Sequence, residues 1–230
     1  MSTDAPAATP EPLTFVRKNV EIIIAVLLGL ISIATAYVSF QSALYDGNMT
    51  QNYTTGSNLA TEAESLYLEG NQQYVQDAQL YDRLTDLQLD ALSPDPVIAA
   101  AAQEKYDVIY FQSVSDDFGK AIEWADEQNA ADPELYYSPL DNEDYLDYLY
   151  SGYYDAKQIA DDTIAKGDVA NGLSDRLTLN TVLMALSLFL LGIAALVKKF
   201  VVQQILVSVA VVIFLTAAVL TLFIPMLWLS

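Results

Sequence analysis

Carboxylates are the most numerous side chains in this sequence that could do chemistry. Residues 41–176 hold 27 of the 30 acidic side chains and six of the ten basic ones, a net charge of −21. The chain has no histidine and no cysteine, which excludes His-dependent nucleophilic triads, imidazole or thiolate zinc sites and disulfides. Paired acids could hydrolyse glycosides, but neighbours such as Asp116 and Asp117 arise readily at this density of acids. We therefore expect neither an enzyme nor a bound cofactor.

A tighter group of acids lies just after residue 140. Oxygen ligands at this density could hold a divalent cation such as Ca²⁺, although the glycine and the distal glutamate of an EF-hand loop are missing. The alternative, which we favour, is that the group places negative charge at the N-terminus of a helix. We thus predict no metal site. The weak candidates for cation ligands are Asp141, Glu143, Asp144 and Asp147.

Tyrosines crowd the same region. Seven of them lie within 19 residues: Tyr136, Tyr137, Tyr145, Tyr148, Tyr150, Tyr153 and Tyr154. Tyrosine offers a large amphipathic contact area at a small cost in entropy, which suits an interface. Together with Tyr67, Tyr74 and Tyr81, these residues are our candidates for an interaction surface. The alternative is that they form the tip of a helical core and keep their hydroxyls in water.

The elements that must position these residues are helices. Two parallel rows recur every seven residues, namely Tyr53, Ala60, Tyr67, Tyr74 and Tyr81, and Leu59, Leu66, Leu80 and Leu87. Such a stripe predicts a helix that packs on another helix, as in a coiled coil. Because no proline lies between Glu21 and Ser93, the helix is predicted to continue to about Leu92, with Gly47 and Gly56 the likeliest kinks.

Two further helices are predicted in the acidic region. One runs from Pro96 to Asn129, and another begins near Asp141 or Asn142, either of which can cap it. The last helix continues towards the next apolar segment unless Gly167 and Gly172 break it. No alternating pattern predicts a strand. The fold class is therefore all-α, with an antiparallel helical bundle or stalk over residues 41–176.

Three apolar segments are long enough to cross a bilayer: residues 20–40, 177–197 and 200–229. In lipid their backbone groups must bond internally, so all three are predicted to be transmembrane helices. Residues 1–19 are predicted to form a disordered tail that ends in a basic flank, and residues 198–199 form the turn of a helical hairpin. Ala34-Thr35-Ala36 is similar to a signal-peptidase site, but the apolar run continues past it, so we expect an uncleaved anchor.

Basic residues predict the orientation in the cell membrane. Arg17 and Lys18 precede the first span, and Lys198 and Lys199 form the hairpin turn, so both points are expected in the cytoplasm. The N-terminus is then cytoplasmic, while residues 41–176 and the C-terminus are extracytoplasmic. Glycosylation motifs at Asn48 and Asn52 would lie on that outer side.

The end of the first span carries a family resemblance. Residues 34–47 read ATAYVSFQSALYDG and resemble a group of uncharacterised prokaryotic three-span membrane proteins. Members of that group have an ATAW-like span end, a YQ…W segment, a long helical ectodomain and two C-terminal spans. Tyr37 and Tyr45 stand where tryptophan is commoner, and Phe40-Gln41 matches the aromatic-Gln pair. Residues 71–73 and 77–81 resemble its next helix. The resemblance implies this topology, and it implies no established activity.

These features predict a non-enzymatic membrane scaffold or accessory subunit whose acidic helical ectodomain mediates self-association or docking. Two alternatives stay open: a cation-conducting oligomer with an acidic vestibule, and a ligand sensor. The spans contain no ionisable residue beyond Glu21 at a boundary, which argues against a pump. The expected partners are membrane lipid and either further copies of the chain or the subunits of a membrane complex. The negative charge disfavours nucleic acid.

Overall fold

Helices make up the whole of the regular structure. A computed structural model of the protein describes residues 15–227, with side chains from Asn19 onward, and no strand occurs in that range. The helices are α1 (Phe15–Ala91), α2 (Pro96–Ser113), α3 (Asp116–Ala131), α4 (Glu143–Leu196) and α5 (Phe200–Leu222), with a 3₁₀ turn at Pro139–Asp141. The all-α prediction is confirmed. Most of the predicted disordered tail lies outside the described residues, but α1 begins at Phe15, earlier than the predicted boundary at residue 20.

The predicted single helix from Pro96 to Asn129 is wrong, because the chain forms two helices there. Val114 is extended, and Ser115 caps the new helix by accepting a hydrogen bond from the Phe118 N–H at 3.3 Å. Asp116 and Asp117 follow in the first turn of α3, where negative charge is favourable. The serine thus satisfies one exposed N–H group of α3 and the two acids add favourable charge, so a new helix begins here.

Helix α4 begins where the sequence predicted and continues without a break. The Asn142 side chain accepts from the Tyr145 N–H at 2.8 Å, which caps the first turn. The helix then runs through both Gly167 and Gly172 into the second apolar segment. The two glycines therefore do not break the helix, and it joins the second apolar segment directly.

Within the described residues, three helices are long and apolar enough to cross a membrane, namely α1, α4 and α5. The last of them is shorter than predicted, because α5 ends at Leu222 and not at residue 229. Pro225 lies three residues beyond that end. Its ring carries no N–H for a continued helix, which explains why the chain leaves helical geometry here.

The chain divides into two compact units. Unit 1 consists of the residues up to Asn52 and from Ala165 onward, and unit 2 is Tyr53–Ile164. In unit 1 the buried residues of each helix recur every seven positions, the spacing that keeps two packed helices in contact along their length. The rows are Ile24, Ile31, Val38 and Tyr45 on α1, Ala170, Leu177, Met184 and Leu191 on α4, and Gln203, Ala210, Ala217 and, just past its end, Ile224 on α5.

The outward side of unit 1 is apolar and its interior contains small and polar residues. Exposed side chains include Ile22, Leu30, Ile33, Val201 and Leu222. A soluble protein rarely exposes so much contiguous apolar surface, whereas hydrocarbon accommodates it. Small buried residues let helix backbones approach closely, which is how helices associate where lipid removes the hydrophobic driving force.

Hydroxyl and amide side chains join the helices of unit 1. Ser42 Oγ lies 2.9 Å from both Ser174 Oγ and Thr178 Oγ1, and Ser174 Oγ also donates to the Ser42 carbonyl at 3.1 Å. Asn180 Nδ2 donates to Thr221 Oγ1 at 3.0 Å. These buried polar groups thus have partners from another helix, and the bonds stabilise the packing in an apolar surrounding.

The segment after α5 is held by two residues of the motif that carries the family resemblance. Gln41 Nε2 donates to the Leu227 carbonyl at 3.0 Å, and the Leu227 N–H donates to Gln41 Oε1 at 2.9 Å. Tyr45 Oη donates to the Pro225 carbonyl at 2.6 Å. The side-chain amide of Gln41 therefore bonds both backbone groups of Leu227, which have no helical partners beyond the end of α5.

In unit 2 the buried centre of α1 is a row of small residues. Gly56, Ala63, Gly70, Asp77 and Leu84 recur every seven positions and are all buried. The predicted tyrosine row lies three positions before this row and the predicted leucine row three positions after it. Both predicted rows are thus the flanks of one contact face, and that face packs within the chain.

The second core lies where α3 and the start of α4 meet α1. Phe118, Ala121 and Ile122 from α3 cluster with Leu84 and Tyr145, and all five are buried. The Phe118 ring lies 5.2 Å from the Tyr145 ring and 6.4 Å from the Tyr81 ring. These aromatic rings form the buried core of this part of unit 2.

Replacing Gly70 with alanine tests the close helix contact in unit 2. A Cβ at Gly70 would lie 2.6 Å from the Leu149 carbonyl oxygen, whereas one at Gly152 meets only Leu66 Cδ1 at 3.9 Å. We expect Gly70→Ala to lower the free energy of unfolding by about 1–3 kcal/mol, because a backbone atom must move. The matched Gly152→Ala variant should be neutral or up to about 1 kcal/mol more stable, since alanine favours helix. Urea unfolding of the full chain in detergent measures both, and equal effects would contradict the close contact.

Replacing Gln41 tests the attachment of the segment after α5. In Gln41→Ala we expect the Leu227 amide to exchange its hydrogen about five times faster, because a lost hydrogen bond is worth about 1 kcal/mol. Gln204 is exposed on α5 and provides the matched control, Gln204→Ala. Hydrogen exchange read by mass spectrometry makes the comparison. Unchanged exchange at the Leu227 amide in the Gln41 variant would rule out this role.

Candidate functional site

A groove in the surface of unit 2 combines aromatic and polar side chains. It lies between α1 and α4 and has a volume of about 280 Å³. Its lining residues are Leu66, Glu69, Gly70 and Gln73 from α1 and Tyr148, Leu149, Gly152 and Tyr153 from α4. Four of the eight carry a polar side-chain group, so the groove is suited to a ligand that is partly polar.

Two glycines create the space of the groove. Gly70 brings the backbones of α1 and α4 into contact, since a side chain on this residue would begin only 2.6 Å from the Leu149 oxygen. Gly152 leaves its side of the floor open, because only Leu66 Cδ1 lies within 4 Å of the position that a Cβ would take there. Larger residues at either position would fill the floor or separate the helices.

The side chains that line the groove can bind a cationic ligand group. Glu69 offers a carboxylate, and Tyr148 and Tyr153 offer ring faces and hydroxyls. A carboxylate beside aromatic rings attracts cationic groups such as lysine or arginine side chains. No histidine or cysteine exists in the chain to act as nucleophile or base near neutral pH.

A cluster of tyrosines packs beside the groove, and Tyr153 is the member of the cluster that lines it. The Tyr67 ring of α1 lies 5.7 Å from the Tyr150 ring and 5.3 Å from the Tyr153 ring, and Tyr153 lies 5.2 Å from Tyr154. Tilted pairs at these distances are favourable beyond their buried area. The rings therefore hold one another in place and present a preformed surface.

A buried carboxylate lies next to the groove. Asp77 is 2 % exposed and accepts hydrogen bonds from Gln73 Nε2 at 3.0 Å to each oxygen and from Tyr145 Oη at 2.7 Å. No cation pairs with it among the described residues. Burial, followed by the hydrogen bond to Asp77, raises the pKa of the Tyr145 hydroxyl above its ordinary value, so Tyr145 stays a donor. Gln73 both holds Asp77 and lines the groove, and thus joins the two features.

The predicted interaction tyrosines fall into three environments. Tyr145 is 1 % exposed, so it belongs to the core and cannot contact a partner in this structure. The half-buried group, which packs within unit 2, is Tyr74, Tyr81, Tyr137, Tyr150 and Tyr153, and the exposed group is Tyr67, Tyr136, Tyr148 and Tyr154. Of the ten, only Tyr148 and Tyr153 line the groove. The core interpretation therefore holds for Tyr145 and the half-buried group, and the interaction surface stays a prediction for the exposed tyrosines.

The predicted cation candidates do not converge. Among the residues that the structure describes, no group of three acidic side chains could hold a metal ion. Glu143 and Asp144 lie in the first turn of α4, and Asp141 belongs to the preceding 3₁₀ turn. Their positions agree with the interpretation that they provide negative charge at a helix N-terminus.

Sequence reasoning missed Asp77, Gln73 and Gly152. A signal for Asp77 existed, because it occupies a position of the seven-residue row that otherwise holds Gly, Ala and Leu. An acid in such a row needs buried donors, which predicts nearby tyrosine or amide partners. Gly152 gave no such signal, because an open floor depends on what the opposite helix leaves uncovered.

In comparisons with known proteins, no family model, no curated protein and no solved structure matches the chain. The resemblance to uncharacterised three-span proteins therefore stays a prediction.

The Tyr145–Asp77 hydrogen bond predicts a specific pH dependence. Tyr145→Phe removes a bond to a buried carboxylate, so we expect a loss of about 1–3 kcal/mol in unfolding free energy at pH 7. The folded-state pKa of Tyr145 lies above the value of 10.0 for a free tyrosine, so its contribution is complete below pH 10 and is lost as pH rises further. The difference between wild type and variant should therefore narrow above pH 10.

Urea unfolding of the two full-length proteins between pH 7 and pH 11 measures this difference. Other tyrosines, including Tyr81 with its raised pKa, titrate equally in both proteins and cancel. A difference that stays constant over this range would contradict the assigned interaction.

Proposed function

We propose that this protein is a non-enzymatic, membrane-anchored scaffold or accessory subunit whose acidic helical domain docks partner proteins. The observation that carries the proposal is the groove of unit 2, in which Glu69, Tyr148 and Tyr153 surround a floor made by Gly70 and Gly152. Tyrosine side chains beside a carboxylate are typical of protein recognition surfaces. The side chains available there can bind a cationic or partly polar group of a partner.

Charge indicates the kind of partner that this domain attracts. Unit 2 carries 24 acidic against four basic side chains, hence a net charge of −20 over residues 53–164. Such a surface steers basic protein surfaces towards it and repels nucleic acid and anionic lipid. Within the groove, Glu69 and the tyrosine rings suit a lysine or arginine side chain of the partner. We therefore propose a partner that presents a basic segment.

The membrane placement belongs to the same proposal. Three apolar helices anchor the chain, and their exposed faces in unit 1 suit lipid. Arg17 and Lys18 before the first span and Lys198 and Lys199 between the last two support a cytoplasmic location for both points. Unit 2 would then lie on the extracytoplasmic side and meet partners there.

Charge reversal at the groove tests the proposed docking. We expect the full-length protein, extracted gently from its own membrane, to retain a partner in fixed proportion. Glu69→Lys should lower that retention about tenfold or more, because it places a cation where the partner's cation binds. The matched control is Asp82→Lys, an equal change of charge at an exposed residue of α1 outside the groove. Native mass spectrometry of the purified assemblies gives the composition.

Two outcomes of this experiment would contradict the proposal. A strict monomer without any retained protein would exclude a scaffold or accessory subunit. Equal loss of the partner in both charge variants would exclude the groove as the docking site and leave only a general electrostatic attraction.

A further inference from the structure

Gln73 connects the groove of unit 2 to the buried carboxylate of Asp77. Its Nε2 lies 3.0 Å from each Asp77 oxygen, and Asp77 is 2 % exposed. Because an ionised carboxylate can only accept hydrogen bonds, the Gln73 amide has to turn its NH₂ group towards Asp77. Tyr145 Oη donates to the same carboxylate at 2.7 Å and helps to hold it in place. Asp77 thus determines which end of the Gln73 amide faces away from it.

The end of the amide that faces away from Asp77 is the oxygen, Oε1. Gln73 Oε1 forms no hydrogen bond within the described part of the chain. In that same part, every buried side-chain oxygen and nitrogen has a hydrogen-bond partner. Oε1 is therefore accessible to solvent, although Gln73 as a whole is half-buried. Since Gln73 lines the groove, it offers this space an acceptor oxygen that has no partner.

Glu69 supplies a second acceptor one helical turn before Gln73. The two residues are four positions apart on α1, so they share a face of the helix and their Cβ atoms lie about 5–6 Å apart. Glu69 takes part in no ion pair within the described residues. The lining of the groove contains no basic side chain, while Tyr148 and Tyr153 of α4 contribute aromatic rings. The groove therefore combines two acceptors on one helix with ring faces on the other.

A guanidinium group fits this arrangement better than an ammonium group. It is a planar fork with five N–H donors, so it can bond a carboxylate and an amide oxygen together, and it stacks on aromatic faces. A lysine ammonium is a compact charge whose three donors lie on one atom. The groove volume of about 280 Å³ lies just below the range of about 300–1,000 Å³ for small-molecule sites, which suits a single protruding side chain.

We propose that the groove selects an arginine side chain of the partner over a lysine, with the Glu69 carboxylate and Gln73 Oε1 as its two acceptors. This inference rests on the proposed docking function and names the chemical group that the groove recognises. Asp77 touches no ligand. It is a positioning residue, because its charge keeps the Gln73 oxygen, and not the NH₂ group, turned towards the bound cation.

Three small ligands of equal charge test the selectivity on the wild-type protein. They are Nα-acetyl-arginine amide, its symmetrically dimethylated derivative and Nα-acetyl-lysine amide. Because each carries one positive charge, the general attraction of a domain with net charge −20 is the same for all three. We expect arginine to bind about fivefold or more tightly than lysine, and dimethylation to remove this gain, since it keeps the charge but blocks the paired donors.

Ligand-detected NMR titration of the full-length protein in nanodiscs of uncharged lipid gives the dissociation constants. Equal constants for arginine and lysine would overturn the selectivity. Undiminished binding of the dimethylated ligand would overturn the role of the two acceptors, because attraction to the tyrosine rings alone would then account for the preference.

Asp77→Asn tests the positioning role. Asparagine can donate as well as accept, so the Gln73 amide can turn and present its NH₂ group to the groove, and the ratio of arginine to lysine affinity should fall to about one. The matched control is Tyr145→Phe, which removes the other hydrogen bond to Asp77 but leaves the charge that orients Gln73, so its ratio should stay at the wild-type value. Lower stability alone does not change this ratio, because both ligands are measured on the same folded protein. A wild-type ratio in Asp77→Asn would overturn the role of Asp77.

The outcomes separate this inference from the proposed function. A protein that retains a partner through the Glu69 groove but binds the arginine and lysine ligands equally overturns the selectivity and leaves the docking function intact. A preference for arginine that disappears in Glu69→Lys, in a protein that retains no partner, supports the chemistry of the groove and removes the scaffold proposal. Circular dichroism checks that each variant keeps its helical content, and the comparison of ligands on the wild-type protein decides the selectivity even where a variant does not fold.

Discussion

The backbone contact between α1 and α4 at Gly70 is the constraint on which unit 2 depends. Because residue 70 has no side chain, the helix axes approach closely there, and the rows on either side must be filled by larger residues. Tyrosines fill one flank and leucines the other. Tyr148 and Tyr153 of α4 lie beside this contact and line the groove. The absence of a side chain at Gly70 thus affects both the core packing and the shape of the candidate groove.

Both units bury polar groups, and in both the groups are bonded to each other. No buried side-chain nitrogen or oxygen lacks a hydrogen-bond partner within the described residues. In unit 1 the network of Ser42, Ser174 and Thr178 joins two helices that no hydrophobic force would hold together in lipid. In unit 2 Asp77 depends on Tyr145 and Gln73. A buried polar bond specifies one register of the helices, because a slip would leave its donors and acceptors without partners.

The helices α1 and α4 change their surface along their length. In unit 1 their exposed side chains are large and apolar, whereas in unit 2 the exposed surface is strongly acidic. The seven-residue period of the buried positions persists in both units, with an interval of eleven residues between Tyr45 and Gly56 that contains the unit boundary. The buried face of each helix thus determines its packing, and the exposed face suits the solvent around it. This separation leaves the outer faces of unit 2 exposed.

The sequence alone determined the helical class, the three apolar helices, the uninterrupted α1 and the packing face of the tyrosine and leucine rows, because helical periodicity and hydropathy are local properties. It also contained the signal for the break at Ser115, a capping serine before two acids, although apolar periodicity across residues 96–129 concealed it. Tertiary structure decided which tyrosines are core and which are surface. Tyr145 and Tyr148 have the same side chain three residues apart, and only the position of α1 and α3 buries the first and exposes the second. The groove likewise exists only because the structure brings Gly70 and Gly152, which lie far apart in sequence, to the lining of one space between two helices.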